Sequence, residues 1–361
     1  AADTRELRFP DLNDGRLVLS VDTHTHSIFS DGHVWPTVRV WEANKDRLDA
    51  MAITEHLEYQ PYRKDIPHPD RNRAFELAAK ENRKGRERTD LLLIAGAEIT
   101  RKYSPGHVNA LFIDDANPLL TAKNRKEETY INARDALREA KAQQGFMIWN
   151  HPAWQNDFPD GVIKISKKQQ ALFDEGLIHG IEVANGEYFN DSSLQVALDH
   201  NLAIIGASDI HGLIDYDYDI TAGTHRTVTL AFAEERSVEG IAQALFQKHT
   251  VALYDRQFIG REAELGALFN SLVSFERLPS RRKDRQQTTV RIRNAGPIAI
   301  ELRVDGNISL NKSVGYITVP AKGATVMTVL DRAANEPIDL DLVWVNSWQA
   351  PKTHASVQIS L

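Results

Sequence analysis

The chain contains no cysteine, so disulfides and thiolate metal sites are excluded, and any bound metal must be held by histidine, aspartate or glutamate. It also lacks an excess of basic residues, since 43 Lys and Arg face 50 Asp and Glu and leave a formal net charge of −7. Tight nonspecific binding to nucleic acid needs a basic surface, so we expect no nucleic-acid partner, although a nucleotide is compatible. The longest strongly apolar run, residues 91–97, is too short to span a bilayer. We therefore expect no membrane partner.

The N-terminus begins Ala1-Ala2-Asp3 without methionine, as it would after a signal peptide had been cleaved behind small residues. Trimming of the chain would leave the same start. We expect a periplasmic or secreted location, with a cytoplasmic one left open.

Short apolar runs alternate with helix-like segments through the first part of the chain. The runs predicted to be buried strands are residues 17–21, 50–53, 91–97, 110–113, 146–149, 181–183 and 203–205. The segments predicted to be helices are residues 71–84, 130–144, 168–175, 192–201 and 261–272. Such alternation favours parallel βα units, and a closed barrel of these units gathers the loops after its strands at one mouth. We predict an α/β barrel.

The composition changes at residues 278–287, which include the basic run 281–285. Beyond it, β-branched alternating segments predict strands at residues 288–292, 299–304, 313–319, 324–330, 338–344 and 354–361. We predict a barrel domain over 1–277, with its core at about 15–255, and a small antiparallel β-sandwich over 278–361. The second domain has no cluster of metal-ligand residue types, which favours a structural or docking role such as oligomer formation.

Candidate metal ligands follow most strands predicted in the first domain. They are His24, His26, Asp31, His56, Glu98, His107, His151, Asp209 and His211. The spacing in His24-x-His26 and Asp209-x-His211 points both side chains to one side of an extended segment. A buried carboxylate at Glu98 needs a metal or a cation to compensate it. Any one patch is explained by ordinary surface or packing residues, but the series predicts a multinuclear site for zinc, manganese or iron.

This ordered series resembles the polymerase and histidinol phosphatase (PHP) family over about residues 15–255. The resemblance implies a distorted (β/α)7 barrel, up to three divalent metals at the carboxyl ends of the strands, and mainly phosphoester hydrolysis. By the resemblance, the first metal is held by His24, His26, Glu98 and Asp209. Glu98 bridges to a second metal on His107 and His151, and a third lies on Asp31, His56 and His211. The chain departs from the family at Glu55, where aspartate is more usual, and at Asp31, where some members have histidine.

Catalytic roles are predicted for Glu98 and Asp209, through the metals they hold, and for His211, as a ligand or a proton donor to the leaving oxygen. Arg226 precedes a predicted strand and is a candidate phosphate clamp, because a guanidinium binds phosphoryl oxygens bidentately. A surface salt bridge is the alternative for Arg226.

Three aromatic residues stand beside the ligand patches. Tyr59 follows His56, and Trp149 and Trp154 flank His151. Each has two interpretations, contact with substrate or packing of the barrel.

Three classes of function are consistent with these residues. The first is a metal-dependent phosphoesterase that acts on a small-molecule monoester or diester with two or three divalent ions. The second is a hydrolase of a carboxyl ester, carbamate or amide on the same metals. The third is a noncatalytic binding module that metal stabilises.

Overall fold

The computed structural model describes residues 6–86, 90–100, 106–121, 129–154, 158–219, 222–279, 286–306, 308–311, 315–330 and 336–361. The first part of the chain contains β1 Leu17–Asp22, α1 Pro36–Lys45, β2 Ala50–Ile53, α2 Arg73–Asn82, β3 Leu92–Ile99, β4 Val108–Leu111, α3 Tyr130–Ala142, β5 Phe146–Trp149, α4 Lys167–Asp174, β6 Gly180–Asn185, β7 Tyr188–Phe189, α5 Asp191–Asp199, β8 Ala203–Ala207, α6 Ile214–Asp217, β9 Val228–Ala233, α7 Val238–Phe246, β10 Thr250–Tyr254, β11 Gln257–Gly260 and α8 Glu262–Leu272. The last part contains β12 Val273–Leu278, β13 Gln287–Asn294, β14 Ile300–Asp305, β15 Tyr316–Val319, β16 Gly323–Leu330, β17 Asp339–Trp344, β18 Ser347–Trp348 and β19 Ala355–Ser360. Short 3-10 turns cover Asn117–Leu119 and Pro152–Trp154.

Every strand predicted from an apolar run is present, within about two residues at each end for most of them. Several helices begin at a polar cap, because the side chains of Thr129, Ser166, Asn190 and Ser237 each accept a backbone N–H of the first turn. Helix α1 was not predicted, although its Pro36 at the first helical position is a recognised start signal. β10 and β11 were not predicted either, whereas β9 is the strand predicted after Arg226.

The eleven strands of the first part of the chain and β18 from the last part form one curled 12-stranded sheet that is mixed rather than wholly parallel. β1, β2 and β3 run parallel, as do β5, β6 and β8, whereas β4 is antiparallel to both β3 and β5. The connection from Ile99 to Val108 is too short for the crossover that parallel strands need. The α/β class is therefore confirmed, but the expectation of uniformly parallel βα units is wrong for β4.

The sheet curls until β8 approaches β9. The backbone N–H of Gly206 donates to Thr229 Oγ1 at 3.0 Å, and Thr229 Oγ1 donates to the carbonyl of Gly206 at 2.8 Å. A Cβ on Gly206 would lie 2.8 Å from the carbonyl oxygen of Val228, so the close approach needs glycine. The curl brings the carboxyl ends of β1 and β8 together.

The last part of the chain forms two small antiparallel sheets, β12-β13-β16 and β15-β14-β17-β19. The boundary predicted between 277 and 278 falls within β12, which pairs along its length with β13. The β-domain is thus present, while the stated domain limits stay a prediction. The basic run 281–285 lies outside the described residues.

The β-domain is fastened to the first sheet by an apolar contact and a buried amide. Trp344 is fully buried against Phe258 and Phe269, with ring centroids 4.8 and 5.4 Å away. Asn346 donates to the carbonyls of Arg256 and Ala299 at 2.8 and 2.9 Å, and β18 then pairs with β11. The two parts therefore share a core. Across the described residues, no helix is both long and apolar enough to cross a bilayer.

His179, just before β6, gives the fold an acid-sensitive contact. Its Nδ1 accepts the backbone N–H of Met147 at 3.0 Å, and its ring stacks on Phe146. Burial, reinforced by Lys141 and Lys248, lowers the pKa of His179 from 6.5 to about 4. Because the folded pKa lies below the unfolded one, this contribution to stability is complete above about pH 6.5 and is lost as the pH falls towards 4.

We expect His179→Asn to reduce the acid sensitivity of folding, because the amide oxygen can accept the same N–H and does not titrate. At pH 5 the native protein should lose about 2 kcal/mol through this group relative to pH 7. Urea unfolding of both proteins at the two pH values measures the difference. An equal loss of stability in the variant would contradict the prediction.

Candidate metal centre

The nine predicted ligand residues converge at one end of the first sheet, and we call them the histidine cluster. His24 and His26 follow β1, Asp31 lies in the next turn, His56 follows β2, Glu98 lies in β3, His107 precedes β4, His151 follows β5, and Asp209 and His211 follow β8. They form four overlapping groups, and in each group the ligand atoms lie within 4.8 Å of one another. Of the described residues, only members of the cluster form such groups.

The antiparallel strand β4 explains how His107 joins residues that follow parallel strands. Glu98 in β3 pairs with Asn109 in β4, so His107, at the start of β4, lies beside the end of β3. His107 Nδ1 is 2.9 Å from Glu98 Oε1. A residue that precedes its strand therefore reaches the same edge of the sheet.

At the centre of the cluster, two imidazole nitrogens contact two carboxylate oxygens. His24 Nε2 and His26 Nε2 are 3.0 Å apart, and Glu98 Oε2 lies 3.4 and 3.3 Å from them. Asp209 Oδ1 lies 3.2 and 3.1 Å from the same two nitrogens. Glu98 Oε2 is buried, and His56 Nδ1 also lies 2.8 Å from it. Two imidazole nitrogens and two carboxylate oxygens in this arrangement fit a divalent cation.

The other ligand groups lie on either side of this centre. His151 Nε2 is 3.7 Å from both Glu98 Oε1 and Asp209 Oδ2, on the side of His107. On the other side, Asp31 Oδ2 is 3.4 Å from His56 Nε2, and Asp31 Oδ1 is 3.2 Å from His211 Nε2. The groups overlap the three ligand sets that the resemblance implies but do not match them one to one, since His56 also groups with Glu98 and His107, and His151 with His24 and Asp209. The assignment of each residue to one ion stays a prediction.

Opposite charges hold the cluster together. Burial alone would raise the pKa of Glu98, but the imidazoles of His56, His24 and His107 outweigh it and hold that pKa well below its ordinary value. Burial alone would lower the pKa of His56, but Glu98 and Asp31 raise it to about 10. Protons on the imidazoles thus balance the carboxylates, and a metal ion that binds there would displace them.

Glu182, in the middle of β6, was missed by the sequence analysis. It is 1% exposed, and its Oε1 accepts the Nδ1–H of His24 at 2.7 Å. Its Oε2 accepts the backbone N–H of His151 at 2.7 Å and the side chain of Asn185 at 2.8 Å. A carboxylate that accepts a hydrogen bond from one ring nitrogen of a histidine leaves the other ring nitrogen to bind a metal. One signal was present, because Glu182 is a carboxylate inside the apolar run 181–183.

Two members of the cluster have backbone angles that non-glycine residues rarely adopt. The φ angles are 26° at His151 and 50° at Asp209. The N–H of His151 is held by Glu182, and the N–H of Asp209 donates to the carbonyl of His24 at 2.9 Å. The surrounding hydrogen bonds therefore stabilise strained backbone at the site.

Glu55, where the family more usually has aspartate, lies outside the cluster and braces the turn that carries Asp31. Its carboxylate accepts the backbone N–H of Ser27 at 3.1 Å and the hydroxyls of Ser27 and Ser30. Ser30 Oγ lies 3.2 Å from His26 Nδ1. Because Ser30 gives its one hydrogen to Glu55, its oxygen can accept from His26 Nδ1–H, which orients His26 Nε2 towards the centre.

A cavity of about 390 Å³ opens over the cluster. It is lined by Asp31, His56, Tyr59, Thr100, His107, His151, Trp154, Asp209 and His211. Small-molecule sites are clefts of about 300–1,000 Å³, so this cavity is large enough for a small substrate.

Arg226 does not reach this cavity. It is fully buried, and it donates to Asp46 Oδ2 at 2.7 Å and to Asp22 Oδ2 at 3.1 Å. Asp22 also accepts the N–H and the hydroxyl of Ser208, the residue before Asp209. The position of Arg226 therefore does not support a phosphate clamp. Arg226 forms salt bridges, as the alternative predicts, but they are buried and not at the surface. Its partners are distant in sequence, which is why the sequence did not reveal them.

The three aromatic residues separate into two kinds. Trp149 is 2% exposed and packs in the core, as the packing alternative predicts. Tyr59 and Trp154 instead line the cavity.

Comparison with known proteins shows which solved structures the chain is similar to. A two-domain protein from Bacteroides vulgatus, in which a PHP-like metal-dependent phosphoesterase has been predicted, is 39% identical, with 100% of both chains covered and a TM-score of 0.88. An amidohydrolase from Chromobacterium violaceum, solved with sulfate and without metal, is 18% identical over 53% of this chain and 87% of its own, with a TM-score of 0.38. A candidate metal-dependent phosphoesterase from Bifidobacterium adolescentis is 17% identical over 63% of this chain and 96% of its own, with a TM-score of 0.39. No family model and no curated protein matched. The full-length identity to the first of these structures shows that the protein belongs to the PHP-like family, as a two-domain member.

Proposed function

We propose that the protein is a metal-dependent phosphoesterase that hydrolyses a phosphate monoester or diester at the histidine cluster. The observation that carries the proposal is the contact of the His24 and His26 imidazole nitrogens with carboxylate oxygens of Glu98 and Asp209, beneath an open cavity. The 39% identical relative, in which such an activity has been predicted, supports it.

We assign the ligands as the family resemblance implies. The first divalent ion would be held by His24, His26, Glu98 and Asp209, the second by Glu98, His107 and His151, and the third by Asp31, His56 and His211. Zinc, manganese and iron suit these nitrogen and carboxylate donors. Bound ions of this kind supply an activated water and neutralise the charge of phosphoryl oxygens.

The side chains of the chain itself have three tasks. Glu98 joins two ligand sets, because its two carboxylate oxygens face different histidines. Glu182 orients His24 directly, and Glu55 orients His26 through the hydroxyl of Ser30. His211 is the most exposed of the nine side chains, at 35%, and stands where a leaving oxygen can reach it. We propose it as a third-site ligand or as the proton donor to that oxygen.

The test is hydrolysis by protein reconstituted separately with zinc, manganese and ferrous iron. The panel contains a phosphate monoester, a phosphate diester and a carboxyl ester, and chelated protein is the blank. We expect metal-dependent release from a phosphoester and none from the carboxyl ester. Cleavage of the carboxyl ester alone would favour the second class of function, and no turnover by fully metallated protein would favour the binding module.

Four statements stay predictions. They are the exact (β/α)7 form of the barrel, the domain limits at 277 and 278, the periplasmic or secreted location, and an oligomer formed through the β-domain.

A further inference from the structure

Trp154 exposes most of its ring and yet sits against the histidine cluster. It is 69% exposed and ends the short turn Pro152–Trp154, where its backbone N–H donates to the carbonyl of His151 at 2.9 Å. Its ring centroid lies 5.3 Å from that of His151, at 72°, and 6.4 Å from that of His107, at 55°. The indole therefore forms part of the cavity directly beside two proposed ligands.

An exposed tryptophan is ordinary by itself, but this one contributes little to the fold. Trp149, five residues earlier, is buried and packs against Phe173. Trp154 lines the cavity instead, so its apolar surface faces whatever enters.

Tyr59 supplies a second ring in the same cavity. It is 36% exposed, and its ring lies 5.8 Å from that of His56, at 74°. The ring centroids of His56 and His107 are 5.5 Å apart. The cavity thus has a charged floor of carboxylates and imidazoles and an aromatic edge, which is the arrangement expected for a ligand with one anionic end and one flat apolar end.

We propose that Trp154 and Tyr59 are specificity-determining residues that hold a planar ring in the leaving group of the phosphoester. The inference rests on the proposed function and narrows its substrate class to phosphate esters of ring-bearing alcohols. The phosphoryl group would face the cluster, and the ring would stack on the exposed indole. Stacking of a flat ring on an aromatic side chain is typically worth about tenfold in affinity or more.

The experiment compares three esters of primary alcohols: ethyl phosphate, 2-cyclohexylethyl phosphate and 2-phenylethyl phosphate. Their leaving oxygens are alike, so differences in kcat/KM report on the ring. We expect the reconstituted protein to prefer the phenyl ester over the ethyl ester by about tenfold, and Trp154→Ala to bring this ratio close to one. Tyr59→Leu should lower the ratio by less, since the ring of Tyr59 is the less exposed of the two.

Trp41→Ala is the matched control. Trp41, on α1, is 46% exposed and donates a hydrogen bond to Glu81. It does not line the cavity. It should keep the preference of the native protein. An equal preference for the cyclohexyl ester, which is apolar but not planar, would overturn the proposal, as would a Trp154→Ala variant that keeps the native ratio.

A binding measurement separates this inference from the proposed function. Calorimetric titration with 2-phenylethylphosphonate and ethylphosphonate, which are not hydrolysed, should show the same tenfold preference and its loss in Trp154→Ala. A ring preference in binding without hydrolysis of any ester would support the inference and contradict the proposed function. Hydrolysis of all three esters at equal rates, with equal binding, would overturn the inference and leave the proposed function standing.

Discussion

His24→Ala is expected to lower phosphoester hydrolysis by about 10³-fold, because a catalytic metal ion contributes several kcal/mol to the barrier. The imidazole of His24 lies at the centre of the cluster, with its Nε2 within 3.4 Å of ligand atoms from His26, Glu98 and Asp209. Removing this imidazole leaves three proposed ligands for the first ion. The carboxylates of Glu98 and Asp209 then repel each other more strongly. The variant should therefore also bind fewer metal ions after reconstitution.

His249→Ala is the control for this variant. His249 is a partly exposed histidine near Glu264 and is not a member of the cluster. It should keep both the activity and the metal content of the native protein. If His24→Ala is folded by circular dichroism and hydrolyses phosphoesters at the native rate, the ligand assignment is wrong.

Glu182→Gln is expected to weaken metal binding by about 10- to 100-fold, although Glu182 is not itself a proposed ligand. The two oxygens of Glu182 accept from three donors, on His24, His151 and Asn185. A glutamine replaces one oxygen with an NH₂ group, so one donor faces another. The ring of His24 or the strained backbone of His151 must then shift, and either shift moves a proposed ligand.

The measurement is a calorimetric titration of metal-free protein with zinc, followed by kcat at saturating metal. We expect the affinity to fall and kcat to recover in part at high metal concentration, which distinguishes a positioning residue from a ligand. Glu187→Gln, five residues later and exposed, is the matched control and should bind metal like the native protein. A native affinity in Glu182→Gln would show that Glu182 has no positioning role.

The location of the candidate ligands was predictable because it follows from local patterns. The apolar runs before His24, His56 and Asp209 become β1, β2 and β8, and each residue lies just beyond the strand. Strand ends that meet at one edge bring such residues together whatever the rest of the topology. The ligand series therefore needed only the strands and their order.

The contacts behind the ligands were not predictable, because they depend on partners distant in sequence. Arg226 precedes a strand as a substrate-binding residue could, but Asp22 and Asp46 bury it. His107 reaches the cluster through the antiparallel strand β4, which alternation of strands and helices does not predict. Glu182, like Glu98, is a carboxylate in an apolar run and therefore needs a partner. The sequence therefore indicates that Glu182 has a partner, but only the structure identifies His24 as that partner.

The central claim is that the histidine cluster is a multinuclear metal centre, and counting bound ions tests it most directly. Native protein would be reconstituted with zinc, its metal content measured by plasma mass spectrometry, and the ions located by anomalous scattering from crystals. We predict two or three ions per chain, each on a ligand set that includes Glu98 or Asp31. Fewer than two ions per chain, or ions bound away from the cluster, would contradict the account.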